Sequence, residues 1–292
     1  MIRSILVGLD GSAHSRAALA AAMELAQWHG ARLELATATD QDPSADVELD
    51  PEPGMGAGLE RGPTPAVDTE PISEAEEDEE AVSLAARSDP HIAAAIEVCR
   101  ERGLAWIARR MQGLAAERLA QRAPAVDLVA VGRRGASHRR GQMGVGACVR
   151  SLLSSPARAV LIAPEDHQDT GGIATVYDGS GPALRALSWA AATARYGELP
   201  LRAVLQNARQ PNATNARRQV RAYLRPHRLK QTSVAEVADS GALASLLRGL
   251  RPGHLVFLGR ATPSGLSIAR LWGERPELAV ISECRGPVVV VS

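Results

Sequence analysis

The chain repeats itself, and this constrains its fold more than any other feature. Ser4–Ser12 returns as Gly172–Ser180, each a short apolar run that closes on Asp-Gly-Ser. Ala18, Leu19 and Ala26 are matched at the same offset by Ala186, Leu187 and Ala194. Asp127–Arg133 returns as His254–Arg260, and Ala159–Ala163 as Pro287–Val291. Matches kept in one order indicate that a single unit was duplicated. The seam lies near Pro164–Gly171, so the expected domains are residues 1–165 and 171–292.

Each copy alternates short apolar runs with helical patterns. In the first, Ile2–Leu9 reads as a strand leaving into a turn. Ser12 is placed to cap an Ala-rich helix running to about His29. Further strands are expected at Arg32–Ala38, Ala105–Ala108, Leu128–Val131 and Ala159–Ile162. Helices are expected at Ile92–Arg102, Leu114–Gln121 and Cys148–Leu153. The second copy places strands near Ile173–Tyr177, Leu201–Leu205, Val234–Val237, Leu255–Leu258 and Val288–Val291. Strand–helix alternation implies a parallel sheet with right-handed crossovers. The expected fold is therefore α/β: two tandem doubly wound, Rossmann-like domains with five-stranded, mostly parallel sheets. With Phe257 as the single Phe, the core must be built from Ala, Val, Leu and Ile, which suits such a sheet. Ala159–Ala163 and Val288–Val291 would each leave an apolar edge. They are expected to pair antiparallel, making the chain an internal pseudo-dimer, with self-association of whole chains left open.

One stretch breaks the pattern. Gln41–Ala81 is rich in Pro, Gly, Asp and Glu, carries the acidic run Glu74–Glu80, and has Arg61 as its only base. Such a composition buries too little apolar area to offset its ordering entropy, so a loosely ordered loop is expected. The second copy has no counterpart, and its Ala208–Lys230 segment is Arg-rich instead. Over the whole chain 33 Lys and Arg balance 33 Asp and Glu, which gives no electrostatic case for nucleic-acid binding by the surface as a whole. Met1–Ser4 runs straight into a strand pattern, and no apolar run approaches the length of a membrane span. Cys99, Cys148 and Cys284 have no paired spacing and read as reduced thiols, which points to the cytoplasm.

The residues that carry chemistry lie after the fourth strand. Gly132, Arg133, Arg134 and Gly135 are followed by Gly141, Gly144 and Gly146, and then by the helix from Ala147. A glycine-rich turn between strand and helix exposes backbone N–H groups that, with the helix dipole, hold phosphate oxygens. Arg133, Arg134, His138, Arg139 and Arg140 add positive charge around it. In a doubly wound sheet this edge is where ligands bind. A flexible connector with solvated arginines is the plainer alternative.

Asp10-Gly11-Ser12 after the first strand, Gly132-x-x-Gly135 after the fourth, and a Gly-small pair opening the fourth helix resemble the universal stress protein family. The likeness covers both halves apart from the acidic insert. In the family's ATP-binding branch the loop is Gly-x-x-Gly, nine residues, then Gly with Ser or Thr. Here ten residues separate Gly135 from Gly146, and Ala147 stands in the hydroxyl position. Reading Gly144 with Val145 instead leaves eight residues and again no hydroxyl. The resemblance implies that Asp10 lies near ribose and adenine and that Ala38 touches the base. It implies that Gly132, Arg133 and Gly135 line the α- and β-phosphates, and Gly146, Ala147 and Cys148 the terminal phosphates. The ligand would be ATP or another adenine nucleotide.

Other readings compete at single positions. Asp10 equally suits a turn carboxylate that accepts backbone N–H bonds. Cys148 reads as a small core-facing residue rather than a redox centre. In the second half Gly259-Arg260 leads into a segment broken by Pro263, which removes a donor where N–H groups would be wanted. That half reads as structural or regulatory. No hydrolytic, redox or metal-binding constellation occurs. The expected function is thus a nucleotide-binding stress-response regulator, not an enzyme. The alternative is an adaptor that has lost the nucleotide and acts through protein contacts.

Overall fold

The computed structural model describes residues 2–39, 89–136, 144–206, 213–260 and 276–292. The acidic tract, the loop residues Gly141, His138, Arg139 and Arg140, and the segment around Pro263 lie outside them. The first half contributes β1 (Ser4–Gly8), α1 (Ala13–His29), β2 (Arg32–Thr39), α2 (Pro90–Glu101), β3 (Trp106–Gln112), α3 (Ala115–Arg122), β4 (Leu128–Gly132), α4 (Ala147–Ser154) and β5 (Ala159–Ala163). The second contributes β6 (Gly172–Tyr177), α5 (Gly181–Tyr196), β7 (Leu201–Gln206), α6 (Ala213–Leu224), β8 (Thr232–Val237), α7 (Ser240–Arg248), β9 (His254–Gly259), α8 (Pro276–Glu283) and β10 (Val288–Val291).

The ten strands among the described residues form one sheet in the order β3-β2-β1-β4-β5-β10-β9-β6-β7-β8. Within each half every pairing is parallel, and the order is that of a doubly wound α/β unit. At the centre β10 runs antiparallel to β5, with Val288 opposite Ile162 and Val291 opposite Ala159. This is the pairing expected of two apolar edges, since each strand supplies the ladder the other lacks. Both strands are buried along their whole length.

Helices cover both faces, so strand residues are buried on alternate sides. Ile5 and Val7 pack on one face with α1, α2, α5 and α6; Leu6 packs on the other with α3, α4, α7 and α8. The first of these clusters runs through both halves without a break. There α1 meets α5: His29 Nε2 lies 3.1 Å from Thr193 Oγ1, and its ring packs edge-on against Tyr196. The connecting segment is fastened to α1 as well, since Thr170 donates to Glu24 from its N–H (3.1 Å) and its hydroxyl (2.5 Å).

Strand β3 runs four residues beyond its expected end at Ala108, up to Gln112. Arg109 and Arg110 hide the strand pattern in the sequence. Among the described residues β3 is the terminal strand of the sheet, and its ladder with β2 continues to Gln112 opposite Thr39. Glu34 on β2, nearly buried, takes Arg109 at 2.7 Å and a two-pronged contact from Arg122 at 2.9 and 3.1 Å. The arginine is accommodated by this carboxylate, which lies far from it in sequence.

Candidate functional site

Three loops converge at the C-terminal ends of the first-half strands. The first is the turn after β1. Ser12 caps α1 by accepting from the Ser15 N–H (3.0 Å), and Asp10 Oδ1 accepts from the Ser12 N–H (3.0 Å). The Leu9 N–H reaches across to the Ala36 carbonyl of β2 (2.8 Å). The second loop follows β4, and the two are tied together because Asp10 Oδ2 accepts from the Ala136 N–H (2.8 Å). The third is the entry to α4, where the Gly146 N–H donates to the Arg133 carbonyl (2.9 Å).

Gly132 is required by the packing. A Cβ built there would stand 2.6 Å from His14 Cβ and 2.8 Å from the His14 carbonyl carbon. The first turn of α1 therefore rests directly on the end of β4. Gly259 repeats the arrangement in the second half, where a Cβ would meet Pro182 and Ala183 backbone atoms at 2.4 Å.

Between these loops lies a cavity of about 250 Å³. Seven of the eight residues expected at a nucleotide site line it: Asp10, Ala38, Gly132, Gly135, Gly146, Ala147 and Cys148. Ala36, Ala38 and Leu119 make part of the wall apolar. The N-terminal end of α4 also lines the cavity; the N-cap of this helix is Gly146, and it has no side-chain cap among the described residues. The amides of its first turn thus meet no capping oxygen, and the helix dipole adds positive potential there. Arg134 and Arg150 also line the cavity; Arg134 Nε donates to the Gly144 carbonyl (3.2 Å) and Arg150 Nη1 to the Val145 carbonyl (2.5 Å). A second, open cleft of about 420 Å³ adjoins at Asp10, Arg134 and Gly135, with His14, His91 and Glu165 on its rim.

Arg133 departs from the expectation. It does not line the cavity, and its guanidinium crosses to the second half, where Nη2 donates to the Cys284 carbonyl (2.6 Å). Cys148 is half-buried on the cavity wall rather than turned into the core. Burial, and then the Asp10 charge, push its thiol up, so it stays protonated at neutral pH. Asp10 plays the turn role and lines the cavity at once. Burial opposes its charge, yet hydrogen bonds from Ser12, Ala136 and Ser15 together hold the carboxyl below its ordinary value. His14 is pulled down, chiefly by burial, although Glu165 at 3.9 Å acts the other way.

Gly8, Ala115, Leu119 and Arg150 were not anticipated at the cavity. Ala115 and Leu119 are four apart on α3, a helical repeat on one face that the sequence does carry. Arg150 stands four residues after Gly146, one turn into α4, and had the same kind of signal. No group of His, Cys, Asp and Glu suited to a metal ion occurs among the described residues. No described helix is long and apolar enough to cross a membrane.

The family model described as the universal stress protein family matches residues 1–164. No curated protein matches the chain. Solved structures share its fold across nearly its whole length. A universal stress protein from Archaeoglobus fulgidus superposes with TM-score 0.64 at 16% identity, covering 99% of this chain and 98% of its own. A putative universal stress protein from Pseudomonas aeruginosa gives 0.60 at 16%, with 99% and 93% covered. A functionally unknown protein from the same species gives 0.59 at 15%, with 99% and 92% covered. The family match takes in β1 to β5 and all three loops that build the cavity, and on it the chain belongs to the universal stress protein family.

Proposed function

We propose that the protein is a cytoplasmic stress-response regulator that binds an adenine nucleotide in its first half and does not turn it over. The observation that carries this reading is the cavity itself. Apolar Ala36, Ala38 and Leu119 and the uncapped first turn of α4 line the same cavity. An aromatic base with an anionic tail needs that pairing of surfaces. Asp10 lines the same cavity and offers carboxylate acceptors to ribose hydroxyls. The two halves, residues 1–165 and 171–292, act on this reading as domains of an internal dimer, and only the first binds.

A specific observation favours the adaptor alternative. The amides of Ala136 and Gly146 already donate to Asp10 and to the Arg133 carbonyl. Together with Ala147 in the hydroxyl position, this reduces the donors left for phosphate. The deciding experiment is mass spectrometry of small molecules released from purified, denatured protein, followed by titration with ATP, ADP and AMP. Recovered nucleotide and saturable binding support the first reading. An empty protein that binds none of the three up to millimolar concentration leaves the adaptor.

A further inference from the structure

The glycines that end β4 and β9 are each followed by an arginine, and both arginines cross to the opposite half. Arg133 Nη2 donates to the Cys284 carbonyl, just past the C-terminal end of α8 (2.6 Å). Arg260 Nη1 donates to the Ser155 carbonyl, just past the C-terminal end of α4 (2.7 Å), and its Nη2 lies 3.4 Å from the Ala157 carbonyl. Their backbones match too, with Arg133 N–H to Ala163 O and Arg260 N–H to Val291 O, both 2.7 Å. A cation at a helix C-terminus satisfies carbonyls that have no intrahelical donor and meets the negative end of the dipole.

The exchange is reciprocal in geometry but touches the cavity from one side only. Helix α4 is the element whose first turn lines it. It has eight residues, about 12 Å of length, too short to hold itself together. Its position is set by the packing of Val149, Leu152 and Leu153 in the core and, at its margins, by what grips its two ends. The N-terminal end is gripped by the Gly146–Arg133 hydrogen bond within the first half. The C-terminal end is gripped by Arg260 of the second half.

We propose that Arg260 is a positioning residue for the nucleotide site of the other half: by holding the C-terminal end of α4 it fixes where the first-turn amides stand. The second half lacks the glycine pattern of the first, yet it keeps Gly259-Arg260. Its part in binding is to complete its neighbour's site. This inference rests on the nucleotide reading given above.

The test uses the full chain with Arg260→Met, which keeps most of the apolar stem, and Arg260→Lys, which keeps one charged donor group. Hydrogen exchange is followed without ligand at Gly146 and the α4 amides, with β1 amides as the reference, and ATP affinity is measured by titration. Arg260→Met should speed exchange in Gly146 and α4 by tenfold or more while β1 stays at the wild-type rate, and should weaken ATP binding by at least fivefold. Arg260→Lys should recover part of both. Wild-type exchange in α4, or equal acceleration in α4 and β1, would overturn the proposal, the latter because it shows a general loss of stability. Unchanged ATP affinity despite loosened α4 would overturn it as well. If Arg260→Met does not fold, Arg260→Lys carries the same comparison. If the wild type binds no ATP, the nucleotide reading falls, while the exchange data still decide whether Arg260 positions α4.

Discussion

Replacing Gly132 with Ala should destabilise the protein by pushing α1 off the sheet. The added methyl would stand 2.6 Å from His14 Cβ, 2.8 Å from the His14 carbonyl carbon and 3.0 Å from the Ser15 nitrogen. Carbon atoms in contact settle at about 3.5–4.0 Å, so the first turn of α1 must retreat by roughly 1 Å. Two of those atoms are backbone, and no rotamer change relieves the clash. Overpacking of this kind costs about 2–3 kcal/mol. Alanine also narrows the unfolded ensemble, which returns about 0.5–1 kcal/mol. The net expectation is a loss of about 2 kcal/mol. Gly259→Ala should cost at least as much, since its contacts are 2.4 Å and wholly backbone. Gly146→Ala is the control: the nearest atoms lie at 3.5 Å, and the loss should stay below about 1 kcal/mol. Urea unfolding followed by circular dichroism gives the three values. The reasoning fails if Gly132→Ala unfolds within about 0.5 kcal/mol of wild type, or if Gly146→Ala proves the most damaging of the three.

Glu34→Ala removes the carboxylate that Arg109 and Arg122 share; since both are about a third exposed, the loss should be about 2–3 kcal/mol, below the usual range for a buried pair, as read by urea midpoint. His29 is pushed down to about 4, mainly by burial, so the unfolded chain takes up a proton that the folded one refuses. Stability should be full above pH 6.5 and fall by roughly 2–3 kcal/mol on the way to pH 4, with His14 and His254 adding in the same direction, and His29→Gln should flatten the curve. Cys99 and Cys284 are buried, with thiols pushed up to about 11 and 12, which leaves Cys148 as the first site of alkylation in the native protein. Its labelling at pH 7.5 should be slower than that of a small thiol and slower still with ATP present; peptide mass mapping that finds Cys99 or Cys284 modified first contradicts the burial pattern.

Much of the architecture was legible in the residues. The repeat, the strand–helix alternation and the Asp-Gly-Ser turns depend on backbone preferences and burial periodicity, which act over a few residues and leave their mark in order along the chain. The central pairing of β5 with β10 was legible for a related reason: two all-apolar edges in one chain have few other places to go. Of the seven cavity residues, Gly132, Gly135 and Gly146 belong to the glycine pattern after β4, which states where the backbone must stay open, whereas Asp10, Ala38, Ala147 and Cys148 follow only from the resemblance to the universal stress protein family.

What tertiary structure alone decided concerns side chains whose partners are distant in sequence. Arg133 and Arg134 are neighbours of one type, yet one lines the cavity and the other caps Cys284 across the central seam. Nothing local tells them apart, since the choice rests on a carbonyl that arrives 151 residues later. Gly132 reads as part of a phosphate loop, but its lack of a side chain is enforced by His14 on a helix that folds back over it. Strand β3 looks too short in the sequence because Arg109 and Arg110 are unlike a strand until Glu34 is set beside Arg109, with Arg110 on the exposed side. Short-range sterics select the elements, and they do so from sequence. The destination of a long, charged side chain is a balance between desolvation and a partner's oxygen, and that balance exists only once the elements have packed.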